Sequence, residues 1–172
     1  MNRLLSWTCM LALSTVVTSV RTDAAEPAKP GSKAPAAAAT LPQSSPKLTV
    51  YKDPTCGCCT GWVEQMKKNG FDVAVNESAD LNAIKKSVGI PPAMGSCHTG
   101  RIGKYFIEGH VPAADVKRLL AANPDALGLT VPGMPAGSPG MEVPSGLVQP
   151  YDVYLIHKDG TASVWRHYDG KR

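Results

Sequence analysis

The stretch most able to do chemistry in this 172-residue chain is Asp53-Pro54-Thr55-Cys56-Gly57-Cys58-Cys59-Thr60-Gly61-Trp62, which holds three of the five cysteines within four consecutive residues. Thiolates attack disulfides or bind soft metals. Cys56 and Cys59 have the C-x-x-C spacing of disulfide oxidoreductases, in which Cys56 would attack and Cys59 resolve. A third thiol at Cys58 would compete for the mixed disulfide, and its presence points to a turn that holds metal. With Cys97, four thiolates could make a tetrahedral zinc site. Zinc sites usually combine two separated pairs, whereas here the second part is a single cysteine with His98 beside it. A packed set of soft sulfurs suits Cu(I), which accepts thiolate and thioether ligands and can be bridged into groups of more than one ion. The plainest alternative is two structural disulfides, one of which would have to leave this cramped turn for Cys97.

Several other side chains could complete such a site. Met134 and Met141 lie in a Pro- and Gly-rich run and could serve as thioether ligands on a lid, or simply pack the loop onto the core. Met94 is open to the same two readings. His98 follows Cys97 in an expected strand and should face the other way, as an outer or core residue as readily as a ligand. His110 precedes a helix start, where it could bond locally or reach the site. His157 and His167 belong to a terminal hairpin and read as surface groups. Trp62 reads as core, and Asp53 as a turn former.

The elements that must position these residues follow from periodicity. Leu48 to Tyr51 is an apolar, β-prone run, and Trp62, Val63 and Met66 recur at helical spacing up to Asn69-Gly70. Strand, cysteine turn and helix put a thiol at a helix N-terminus, where the macrodipole and unpaired N–H groups favour thiolate. Phe71 to Val75 is expected as a second strand. A helix capped by Ser78 should then run through Leu81, Ile84 and Val88 to Gly89. A short strand over Met94 to Thr99 would carry Cys97 and His98, with Pro91 or Pro92 ahead of it. A Gly100–Gly103 turn leads to a strand over Lys104 to Ile107. A last helix should start at Pro112, present Val116, Leu119 and Leu120, and stop at Asn123-Pro124. The fold class is therefore α/β: a thioredoxin-like β-α-β-α-β-β-α core, with the third strand beside the first. After it come a Met/Pro/Gly-rich loop over residues 131–146, holding four Pro and four Gly, and a C-terminal β-hairpin over Tyr151–Ile156 and Ala162–Tyr168.

The motifs resemble those of the CopG-type family of exported, thioredoxin-like bacterial proteins associated with copper resistance. They are Asp-Pro-x-Cys-x-Cys-Cys-x-x-Trp at Asp53–Trp62, Ser-Cys-His-Thr at Ser96–Thr99, Glu-Gly-His-Val-Pro-Ala at Glu108–Ala113, and Val-Pro-Gly-Met-Pro-x-Gly-Ser-Pro-Gly-Met-Glu at Val131–Glu142. The resemblance runs from residue 47 to 168. It implies copper held by Cys56, Cys58, Cys59 and Cys97, a role in copper detoxification, and redox change between Cu(I) and Cu(II).

Before the first strand the composition changes. Arg3 precedes the mostly apolar run Leu4 to Val20, and Thr22-Asp23-Ala24-Ala25 follows, which reads as a signal peptide over residues 1–25 and a periplasmic destination. The competing reading is an uncleaved membrane anchor, because Arg21 sits close to the cleavage point. Cys9 would be lost on export. Residues 26–46 carry five Pro and almost no large apolar side chain, as in a disordered linker, which leaves residues 47–172 as the copper-binding domain. That domain has fourteen Lys or Arg against twelve Asp or Glu and no basic stripe, which argues against nucleic acid as a partner. The expected partners are copper ions and other exported copper-handling proteins, with no membrane contact once the signal is removed.

Overall fold

The computed structural model describes residues 45–170. The expected signal peptide and nearly all of the linker lie outside the described residues. One mixed sheet organises the domain, with strands in the order β2-β1-β3-β4-β5-β6-β7. The strands are β1 Lys47–Lys52, β2 Asp72–Glu77, β3 His98–Ile102, β4 Tyr105–Glu108, β5 Ala126–Thr130, β6 Tyr151–His157 and β7 Ala162–Tyr168. The helices are α1 Gly57–Lys68, α2 Leu81–Ser87 and α3 Ala113–Ala122, with a short 3-10 turn over Pro92–Met94. No helix of the described residues is long and apolar enough to cross a membrane.

Through α3 the order is the expected β-α-β-α-β-β-α. β1 runs parallel to β2 and antiparallel to β3, which pairs antiparallel with β4, an arrangement consistent with a thioredoxin-like core. Leu48 and Val50 are fully buried on β1 because their alternation faces the helix layer. Helix α1 answers with Cys59, Trp62, Val63 and Met66, an i, i+3, i+4, i+7 stripe that is buried along its length. From α3, Val116 and Leu119 join the same core. Burying side chains of this size stabilises by roughly 1.5–3 kcal/mol each before entropy is counted.

Four local expectations need correction. The cap of α2 is Asp80, whose Oδ1 accepts from Ala83 N at 3.1 Å, while Ser78 Oγ accepts from Asp80 N at 3.2 Å. A side chain directly before the first helical residue reaches the N3 amide, and one two residues earlier does not. The third strand starts at His98, not Met94, so Met94 sits in the 3-10 turn and Cys97 stands just ahead of the strand. Gly100 is in that strand, where a Cβ would lie 3.0 Å from Leu48 Cδ1, and the turn contracts to Gly103-Lys104. Finally, a fifth strand follows α3, parallel to β4 and carrying the hairpin on its far side. Gly128 obscures this strand in the sequence, yet a Cβ there would lie 2.1 Å from the Phe106 carbonyl oxygen. The terminal hairpin is as expected except that its first strand runs one residue further, to His157.

Candidate metal centre

The cysteine turn is built from β1 outward. Lys52, at the end of the strand, is buried and donates from Nζ to the carbonyls of Asp53 at 3.1 Å and Pro54 at 3.5 Å. Asp53 Oδ1 accepts from Thr55 N at 2.7 Å and Thr55 Oγ1 at 2.5 Å, closing an Asx turn that hands the chain to α1. Those bonds hold the Asp53 carboxyl below its ordinary range. Cys56 is the N-cap, and its sulfur accepts from Cys59 N at 3.4 Å. No acidic side chain occupies the first turn, and the side-chain acceptor at the positive end of the helix is the Cys56 sulfur.

Cys56 and Cys59 are joined by a disulfide. Cys58 and Cys97 are free thiols, and Cys58 Sγ lies 3.5 Å from Cys56 Sγ. The sulfurs of Cys56, Cys58, Cys59 and Cys97 all fall within 4.8 Å of one another. Adjacent Cys58 and Cys59 therefore both reach one place. The pairing of β3 with β1 explains how Cys97 arrives there.

A second group shares Cys97. Its sulfur lies 3.3 Å from His98 Nδ1 and 3.0 Å from His110 Nε2, and the three ligand atoms are again within 4.8 Å of one another. His98 was expected to face away from Cys97. Strand alternation does not apply across this step, because Cys97 precedes the strand and the backbone is still irregular there. Both imidazoles are buried, and burial holds both below the ordinary histidine range, His98 well below. They are therefore neutral at pH 7. Pro139 O, 2.8 Å from His110 Nδ1, can only accept, so Nδ1 carries the proton and Nε2 turns its lone pair to Cys97. His98 Nε2 is buried with no hydrogen-bond partner among the described residues. Burial, reinforced by Cys58, pushes the Cys97 thiol up to about 11, so the metal-free group keeps its proton and can donate it to His110.

The Pro- and Gly-rich loop touches the site through its backbone. Besides Pro139, Gly140 packs on the first turn of α1: a Cβ there would lie 2.5 Å from Trp62 N and 2.7 Å from Cys58 O. Gln65 Nε2 donates to Glu142 Oε1, tying the helix to the same loop. The proposed methionines are placed less directly. Met141 is half-buried beside Gly140, Met134 is 54% exposed, and Met94 packs against Ile90, Phe106 and Ile156. Trp62 is buried, stacks obliquely on His98 at 4.5 Å between centroids, and donates to Val111 O. His157 bonds Ser163 and His167 bonds Asp152, both in the hairpin. Pro139 and Gly140 carry no ligand atom on a side chain, which is why residue type alone did not mark them.

Thiols, neutral imidazoles and a dry wall formed by Trp62 make a donor set suited to a soft cation. Comparison with known proteins agrees in kind. Residues 94–141 match a family described as a protein of unknown function, DUF411. A search of curated proteins found no match. Two solved structures of the copper resistance protein CopG are similar to this chain. Form 2 is 44% identical over 72% of this chain and 98% of its own length, and Form 1 is 45% identical over 73% and 100%, each with a TM-score of 0.69. On this similarity the chain belongs to the CopG family of copper resistance proteins.

Proposed function

We propose that this protein, with the Cys56–Cys59 pair reduced, binds Cu(I) in the periplasm as part of copper resistance, through Cys56, Cys58, Cys59 and Cys97. His98 and His110 complete the donor set. The observation that carries this reading is the sharing of Cys97 between the four-sulfur group and the Cys97-His98-His110 group. A thiolate bridges soft cations readily, so the shared sulfur favours more than one ion per chain. Export delivers the protein to the compartment where copper must be handled. Metal analysis of protein taken from that compartment, beside a Cys58→Ser variant, tests the proposal. Several copper ions in the parent and loss of binding in the variant support it; full binding by the variant removes the sulfur cluster from the account.

The Cys56–Cys59 disulfide favours a second reading of the same site, in which the pair supplies electrons. Two Cu(II) ions accept one electron each from the two thiols. A disulfide and two protons result, with both ions leaving as Cu(I). An external thiol attacks Cys56, which is partly exposed, with the buried Cys59 as leaving thiolate, and a second external thiol then attacks the outer sulfur of that mixed disulfide, freeing Cys56 and leaving as the external disulfide. Peptide-level alkylation follows this cycle. Cu(II) added to the reduced protein should convert Cys56 and Cys59 from labelled to unlabelled as Cu(I) appears. Cu(I) formation with both cysteines still labelled contradicts it. Insulin reduction by the metal-free protein, surviving Cys58→Ser, instead favours a general thiol–disulfide oxidoreductase.

A further inference from the structure

Glu108 ends β4 with no exposed surface, and none of the chemistry above uses it. Its Oε1 accepts from Lys85 Nζ at 2.5 Å and from the backbone Ser96 N at 2.6 Å, and its Oε2 accepts from Thr99 Oγ1 at 2.6 Å. Lys85 also donates to Thr99 Oγ1 at 3.1 Å. The carboxylate thus grips the chain on both sides of Cys97-His98, the two residues that face His110. Residues 95–97 belong to no helix or strand, so no ladder of backbone bonds holds them. Ser96 is fixed further by donating to Gly133 O at 2.5 Å and by packing where a side chain on Gly109 would collide with it.

Burying a carboxylate and an ammonium costs several kcal/mol per ion, and apolar residues of similar volume often serve stability as well or better. A pair retained at that cost calls for a use in specificity. Its bonds converge on a segment of the site that no helix or strand holds. We infer that the Glu108–Lys85 pair is a positioning device for Cys97, acting through the Ser96 N–H to hold the thiol against His98 and His110. The inference rests on the proposed copper site for its consequence, although the positioning itself exists without metal.

Two variants separate positioning from stability. Glu108→Gln keeps an acceptor for Ser96 N but strands Lys85. The double variant Lys85→Met with Glu108→Met removes both charges at similar volume and leaves Ser96 N without its acceptor. Each full-length variant is compared with the parent by melting temperature, by peptide-level alkylation of Cys97 in metal-free protein, and by Cu(I) competition against a chromophoric chelator. The double variant should melt no lower than Glu108→Gln, yet alkylate Cys97 faster and bind Cu(I) about tenfold or more weakly, the scale of lost outer support at a metal site. Glu108→Gln should melt lower but keep parental alkylation and binding. If both readouts follow melting temperature, or if the folded Glu108→Gln protein loses them, the pair is only structural. Should the double variant fail to fold, Glu108→Gln still overturns the inference if it folds and loses parental alkylation and binding. A parent without Cu(I) affinity would sink the copper reading while the alkylation rates continued to test the positioning.

Discussion

His110 Nε2 stands 3.0 Å from Cys97 Sγ, and the direction of that approach is set from behind, by the Pro139 carbonyl on Nδ1. A surface loop thereby chooses the tautomer of a buried residue. The imidazole offers its lone pair to the place where the cysteines converge. Replacing it with His110→Phe keeps much of the packing and removes the nitrogen. Cu(I) affinity should fall about tenfold or more while the melting temperature changes little. Competition against a chelator, run beside thermal melts, reads both. Unchanged affinity would place His110 outside the ligand set.

Gly140 makes the same loop a part of helix α1. With φ at +84° and a would-be Cβ 2.5 Å from Trp62 N, no L side chain fits without displacing backbone. Gly140→Ala should cost about 1–3 kcal/mol, as overpacking does, and free Pro139 from His110. Chemical denaturation measures the first effect. The second appears as weaker Cu(I) binding by the folded fraction. Parental stability in this variant would show that the loop yields without cost.

How far the sequence revealed these parts depends on the range of the interaction. The stripe Cys59, Trp62, Val63 and Met66 and the order of the first seven elements were legible because helix and strand periods are local. So was the convergence of the turn with Cys97, since the topology brings the third strand beside the first. His98 was misplaced because alternation was carried one residue past the start of a strand. The fifth strand was missed because Gly128, an unfavourable strand residue, is demanded there by the carbonyl of Phe106 on another strand. The roles of Pro139, Gly140 and Glu108 come from contacts 29, 82 and 12 residues away in sequence with His110, Cys58 and Ser96. No local pattern encodes such pairings.

The terminal hairpin is fastened to α3 by a group that titrates. Tyr168 donates to the buried Asp115, and its ring stacks on Tyr151 at 4.8 Å between centroids. Burial first, and then the Asp115 charge, pushes Tyr151 up to about 12; burial and the bond to Asp115 also raise Tyr168. Nearby Arg166 opposes both shifts. Because the folded chain holds these protons more tightly than the unfolded one, the stabilisation is complete below pH 10 and is lost as pH rises through 12. Melting temperature should therefore fall across that window, and less steeply in Tyr151→Phe with Tyr168→Phe. Equal slopes in parent and double variant would mean that the hairpin's attachment does not depend on these protons.

The central claim is that a knot of sulfur at the head of α1, closed by Cys97 and two neutral imidazoles, holds monovalent copper. A Cu(I) titration of the fully reduced protein, in competition with a chromophoric chelator under anaerobic conditions, tests it most directly. The account predicts that the protein withdraws more than one ion per chain from the chelator before colour develops in full. Colour that rises from the first addition, as though no protein were present, would contradict it.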